Sequence, residues 1–464
     1  IAVAATAFAV AGLLPLMLQQ RPKYAVVAVF GLATVVAALT IRTSLVSLLF
    51  GWLLIAPLLQ EPATTSNIGH LLQYALYELP PLLFLAWTWW LRGSRQNVIR
   101  AAAPDLLPLL LFLFAAASVF LSTTPDSDTF NRLHDVVWNI GLGVAVYYVL
   151  AFAPLSRAAL ESITLGVLAT TSFAALVAIA QYVGHFSLWS PAPRLGLHPS
   201  SVTGTLNNQG VASAIGTLGN PAVLGTVAGV GTVFAVSLLA WGGPVRWRNL
   251  AWLSLPLTLG AVALSFERAP MIATALLVLA VVASRRRLRL PTLAVVAVLS
   301  ATAVVVIPHL VTAPVYQKRA TNAAGLRVRL QVAQRALQLG RLSPLLGHGY
   351  DTYETVSREQ TLATSTADIA GARGVTSHNT LITMFVEVGL VGVALLLTHW
   401  IWVVAGAVRR LRRRLIPPWL AAAWLSGVAV VSINAMAIDL RFFSFVCVIP
   451  WACLGLLRRF HPVR

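Results

Sequence analysis

SHNTLITMFVEVGLVGVALLLTHWIWVVAGAVRRLRRR, residues 377–414, decides how the whole chain is read. From about 379 to 404 it is almost continuously apolar, long enough to cross a bilayer as a helix, which needs roughly 20 residues. It ends in Arg409, Arg410 and Arg412–Arg414, the kind of basic cluster that holds the end of a span in the cytoplasm. It opens on His378-Asn379 and carries Glu387 and Gly389 inside the apolar run. An ionisable residue at that depth has to face the interior of a helix bundle and be paired or neutral.

The pattern recurs along the chain. Of 464 residues, 58% are hydrophobic and 10% are charged, which excludes an ordinary water-soluble protein and points to an all-α polytopic membrane helix bundle. Apolar runs fall near 2–19, 24–41, 44–59, 71–91, 104–122, 135–153, 159–184, 221–241, 250–266, 269–284, 291–308, 379–404, 419–433 and 442–457. These are up to fourteen membrane segments; several are short enough to be half-spans or hairpins, which brings the count to about twelve. The first run reads as a retained span, because no polar domain follows it. Cys447 and Cys453, six apart in the last run, point to different faces of a helix, which argues against a bridge.

Lys and Arg outnumber Asp and Glu by 33 to 14, and their placement sets the topology. With the N-terminus inside, Arg42, Arg92/Arg95/Arg100, Arg157, Arg246/Arg248, Arg285–Arg287/Arg289, Arg409–Arg414 and Arg458/Arg459/Arg464 all face the cytoplasm. The breaks at 60–70, 123–135 and 185–220, the Glu267-Arg268 corner, the segment 309–378 and the corner from Asn434 to Arg441 face outward. The resulting organisation is a membrane bundle over 1–308, a large outer loop region over 309–378 and C-terminal membrane helices over 379–464.

Segment 309–378 carries a basic excess, with Lys318, Arg319, Arg327 and Arg329 among its cations. Such an excess suits an anionic partner outside the membrane, and nothing in the chain suggests nucleic acid. Within it, AAGLRVRLQVAQRALQLGR (323–341) spaces Leu326, Leu330, Ala333 and Leu337 as one helical stripe beside Arg327, Gln331, Gln334, Gln338 and Arg341. This predicts an amphipathic helix at the outer membrane face. SPLLGHGYDTY (343–353) follows as a compact turn signal.

Five places can carry chemistry. His378 sits at the outer end of a span, where an imidazole can take a proton near neutral pH; alternatively it only marks a helix start. Glu387, nine residues on, is about 13 Å deeper and half a turn round, so it is not a direct partner, and a structural role fits it best, with Gly389 allowing close helix approach. Arg268, between two apolar runs, offers a permanently charged fork suited to phosphate, against local pairing with Glu267. Residues 194–225, rich in Gly, Ser, Thr and Asn, can offer amides to a sugar or phosphate or serve as a plain loop. Asp126 and Asp128 form a D-x-D on an outer loop, a weaker signal for a metal.

SHNTLITMFVEVGLVG resembles the H-N-x-x-L-x-x-x-x-E-x-G signature of the O-antigen ligase and polymerase superfamily. In the same order, GTLGNPAVLG (216–225), SFERAP (265–270), and GLRVRLQVAQRAL with PLLGHGYDTY (325–353) are similar to three further motifs of that superfamily. Gln331, Ala222 and Phe266-Glu267 depart from its usual residues. The resemblance covers roughly 160–400. It implies a GT-C-type glycosyltransferase of about twelve spans with a helical periplasmic loop region, in the inner membrane of a Gram-negative bacterium. The implied donor is an O-antigen on undecaprenyl pyrophosphate, the acceptor lipid A–core, and membrane lipids the surroundings; no metal or other cofactor is implied. His378 would be the catalytic base, and Arg268 and Arg327 would grip the pyrophosphate. Asn379, Asn220, Lys318, Arg319 and Arg329 complete the candidate substrate contacts.

Overall fold

The computed structural model describes residues 52, 102–122, 129–153, 155–184, 214–218, 220–284, 323–359, 377–442 and 444–459. The runs expected at 2–19, 24–41, 71–91 and 291–308, all but Trp52 of 44–59, and Asp126, Asp128, Lys318 and Arg319 lie outside these residues.

All regular structure among the described residues is helical. A 3-10 turn at Ala103–Leu106 leads into α1 (Leu107–Phe120). Next come α2 (Thr129–Val136), a π-helical segment at Val137–Gly141, and α3 (Leu142–Phe152). Helices α4 (Arg157–Gly184), α5 (Pro221–Ala240), α6 (Val245–Leu264) and α7 (Arg268–Ala283) follow. After them stand α8 (Ala323–Leu342), α9 (Tyr353–Glu359), α10 (Thr380–Arg412), α11 (Pro418–Ala435), a 3-10 turn at Leu440–Phe442, and α12 (Ser444–Arg459). Among the described residues, six helical stretches are long and apolar enough to cross a membrane: Ala103–Phe120, Asn131–Phe152, Arg157–Tyr182, Pro221–Ala240, Thr380–Arg412 and Pro418–Ala435. In hydrocarbon the backbone must satisfy itself, so these runs have no alternative to the helix.

The described residues fall into two compact units. In the first, α4, α5 and α6 meet through small residues. A Cβ on Gly231 would collide with the Thr171 side chain, and Thr232 Oγ1 donates to Thr258 Oγ1 at 2.9 Å. Small-residue contacts of this kind let membrane helices approach closely. Asn220 begins α5, its Oδ1 accepting from Ala222 N at 2.9 Å, with Pro221 as the first helical residue.

The second unit packs α1 and α8 on α10, α7 on α11, and α11 on α12. One end is fastened by Asp105. Its carboxylate accepts from Arg458 Nε and Nη2, both at 2.7 Å, from Tyr147 Oη at 2.9 Å and from Ala102 N at 2.7 Å. A bidentate pair of this sort, with further donors on the carboxylate, is the form in which a buried charge is tolerated. It ties the end of α12 to the start of α1.

Besides the expected apolar stripe, α8 has a second face, which is buried. Its buried side consists of Val332, Ala336 and Leu339 with Arg335, which packs with Tyr353 and Val356 of α9 and with Val386 and Ile382 of α10. Gly340 admits the Phe385 ring where a Cβ would collide. Buried Arg335 donates from Nη2 to Ser357 O at 2.6 Å, which joins α8 to α9. Leu330 and Leu337, the expected apolar stripe, are exposed, as are Val328, Leu342, Leu345 and Leu346. The helix is therefore apolar on two sides, one toward α9 and α10 and the other outward.

Candidate functional site

Helix α10 is broken. Gly389 has φ 61° and ψ −169°, so the span expected over 379–404 consists of two helical pieces, the second reaching Arg412. Residues 343–349 fill the break. His348 N and Gly349 N donate to Val386 O and Glu387 O, each at 2.9 Å. Leu390 N and Val391 N donate to Pro344 O at 2.8 Å and Leu345 O at 3.2 Å. The loop thus supplies both the donors and the acceptors that the interrupted ladder lacks, where each unsatisfied group would cost several kcal/mol in a membrane.

Three glycines make this joint. A Cβ on Gly389 would meet the Leu345 carbonyl, and one on Gly347 would meet the Glu387 carbonyl. Gly349 has φ 106° and lies against Arg132 and Ser118 O. All three have positive φ, which glycine alone adopts without strain. Gly389 therefore admits a loop backbone rather than another helix.

Below the joint lies a buried charge cluster. Glu387 is 1% exposed, and its carboxylate accepts from Arg441 Nη1 and from Tyr353 N, the latter at 3.3 Å. Arg441 also forks onto Asp439, with Nε to Oδ1 at 3.0 Å and Nη2 to Oδ2 at 2.8 Å. The guanidinium stands 5.4 Å from the centre of the Tyr350 ring. Burial alone would lower the Arg441 pKa, but the two carboxylates hold it well above the usual value. Burial would raise Asp439, and Arg441 reverses this and leaves it below the ordinary carboxylate range. From α2, Arg132 Nε and Nη2 donate to Tyr350 O at 2.9 and 2.6 Å, which fixes the same loop from another side.

His378 sits immediately above this cluster in sequence and in bonding. Its φ is 51°, a left-handed conformation unusual for a residue with a side chain. Asn379 N donates to Ser377 Oγ at 3.1 Å, closing a hydroxyl turn around it. Asn379 then caps α10, its Oδ1 accepting from Ile382 N at 3.0 Å and its Nδ2 donating to Met436 O at 3.0 Å. Thr380 Oγ1 donates to Ile438 O at 3.2 Å and accepts from Leu440 N at 3.0 Å, so residues 436–440 are laced to the first turn of α10. The His378 imidazole is half-buried. Burial, and then the Arg329 charge, push its pKa below the ordinary histidine value, with Asp439 opposing them.

The structure thus brings Arg329 and Asp439 toward His378, and Asp439 is held by Arg441, which pairs with Glu387. Arg329 is exposed on α8. Arg268 is the exposed first residue of α7 and is not among the groups whose charge acts on His378. Arg327 lies on α8 two residues before Arg329. Asn220 and Asn379 both serve as helix caps.

Sequence reasoning gave no role to Asp439, Arg441, Arg132 or Thr383. The signal for the first two was present, since IDLR (438–441) puts two charges within an otherwise apolar C-terminal pair of runs. Their partner, Glu387, is 54 residues away from Arg441 in the chain, and no local pattern reports that pairing.

No curated protein matches this chain. Residues 250–397, which contain Arg268, Arg329, the 343–349 loop, His378, Glu387 and Gly389, match the O-antigen ligase family model.

Proposed function

We propose that the chain is an O-antigen ligase, transferring polysaccharide from undecaprenyl pyrophosphate to the lipid A–core oligosaccharide. In this reading it is a twelve-span, GT-C-type inverting glycosyltransferase of a Gram-negative inner membrane, with its site on the periplasmic face in the loop region 309–378. The observation that carries the reading is the left-handed His378 turn, flanked by Arg329 and lying within the stretch that matches the ligase family. A lowered pKa keeps the imidazole neutral near pH 7 and able to accept the proton of an attacking sugar hydroxyl. The departing diphosphate develops negative charge, which the planar guanidinium forks of Arg268 and Arg327 would neutralise. Lys318, Arg319 and Arg329 extend that basic field, and no step requires a metal.

A second reading has one observation in its favour. Transporters bind substrate at interrupted membrane helices, and α10 is interrupted at Gly389 beside a buried carboxylate. Here, however, residues 343–349 occupy the break, so its freed carbonyls and amides are already bonded. That favours ligation.

The deciding experiment incubates the purified chain with undecaprenyl-pyrophosphate-linked glycan and either lipid A–core or a pilin-like protein. Modified lipid A–core, lost by about 10²–10⁴ in rate in His378→Ala, is the expected result. Modified protein would make it an oligosaccharyltransferase, extended lipid-linked glycan a polymerase, and no transfer would sink the reading.

A further inference from the structure

The two pieces of α10 differ in what surrounds them. From Thr380 to Gly389 every residue is buried or half-buried, enclosed by α8, by the 343–349 loop and by the corner at residues 436–440. At Leu390 this changes. Leu390, Ala394, Leu397, Ile401 and Ala405, spaced as one face of a helix, are all exposed, and the row ends at exposed Arg409. Residues 390–408 make a helix about 28 Å long, close to the ~30 Å hydrocarbon core of a bilayer. An exposed apolar face of that length, closed by arginine, is the lipid-facing side of a span, and the second piece alone supplies it.

The loop extends this face beyond the helix. Because Leu390 N and Val391 N donate to Pro344 O and Leu345 O, the loop lies directly against the start of the exposed row. Gly347 N donates to Ser343 O at 3.0 Å, and Ser343 Oγ donates to Gly347 O at 2.7 Å, so the loop is also closed on itself. Its tip points outward. Leu345 is 62% exposed and Leu346 51%, beside Leu390 at 51%. Leu342 and Leu337 of α8 are exposed behind them, with exposed Arg341 on the same last turn. Water disfavours two leucines at a loop tip, whereas hydrocarbon accepts them. The Pro344 and Leu345 carbonyls and the His348 and Gly349 amides are already bonded to α10, the condition under which non-helical backbone is tolerated at membrane depth.

We infer that the tip of the 343–349 loop is immersed in the bilayer, in the leaflet opposite the Arg409 cluster, where phospholipid acyl chains cover Leu345, Leu346, Leu390 and Val391 as one patch. Continuity with the lipid-facing row of α10 identifies the occupant as lipid. Arg341 fits the edge of such a patch, its stem along the apolar surface and its head at the level of the phosphates. The hydrocarbon boundary then falls at the joint, and the first piece of α10 holds the His378 turn at most about 14 Å beyond it. None of this depends on what His378 does.

The test uses the full chain with Cys447→Ser and Cys453→Ala, reconstituted in phosphatidylethanolamine–phosphatidylglycerol vesicles, with one new cysteine at a time carrying a nitrobenzoxadiazole probe. Probes on Leu346→Cys and Leu390→Cys should emit at shorter wavelength than one on Arg358→Cys. They should be quenched by phospholipid spin-labelled near the top of its acyl chain and little by aqueous iodide. Arg358, exposed on α9, which packs against the first piece of α10, should show the reverse order. Leu345→Cys repeats the measurement at the neighbouring position if the Leu346 variant is lost. Iodide quenching at Leu346 equal to that at Arg358 would put the tip in water. A Leu346 probe untouched by either quencher would put protein over it, as a second copy of the chain would. Either result overturns the inference, and so does lipid quenching at Leu390 without lipid quenching at Leu346.

Discussion

At the scale of single residues, the charges around His378 set the pH at which the base proposed above can work. A protonated imidazole cannot accept a proton, so in that proposal activity should fall as pH drops through its pKa, which burial and Arg329 place below the usual value near 6.5. Arg329→Gln removes a positive neighbour and raises that pKa. The acid limb of kcat/KM should then shift to higher pH, whereas Asp439→Asn, which removes a negative neighbour, should shift it to lower pH, and a pH–rate profile of the two variants checks this. Glu387 is a different case. Glu387→Ala leaves Arg441 with Asp439 as its remaining carboxylate and strips Tyr353 N of its acceptor, which should cost about 3 kcal/mol, read as a lower melting temperature in detergent. The sequence showed that Glu387 had to be paired or neutral, because charge at that depth cannot stand alone. It could not show the partner, because Arg441 meets it only when the last corner of the chain folds back on α10.

At the scale of elements, apolar length located the helices well. The runs expected at 221–241, 269–284 and 419–433 are helical over Pro221–Ala240, Arg268–Ala283 and Pro418–Ala435. Two features escaped that reading for the same reason. The buried face of α8 and the break in α10 are both decided by what packs against them, and hydropathy along one segment does not contain its neighbour. The break gives a graded test. Gly389→Ala and Gly347→Ala each place a Cβ against fixed backbone as well as forcing positive φ, so both should abolish a well-folded product on size-exclusion chromatography. Gly242 has φ 70° with nothing near its Cβ, so Gly242→Ala should cost only the left-handed penalty, about 1 kcal/mol, and fold normally.

For the molecule as a whole, the placement of arginines predicts sidedness. Cysteines introduced at Thr364 and Ser201 should react with a membrane-impermeant maleimide in intact spheroplasts, and one at Gly93 should not. Labelling at Gly93 alone would invert the topology and remove the external site with it. The motifs in 325–353 and 376–390 looked like separate fingerprints, but the structure makes them the two halves of one joint, with Glu387 beside the break. That joint also bears on how the chain is made. Residues 343–349 leave the ribosome before α10, so the groups that close the gap at Gly389 already exist when the interrupted span reaches the lipid. A permuted gene encoding 380–412 ahead of 343–349 would reverse that order, and the newly inserted span would have to hold an open ladder until its complement was translated.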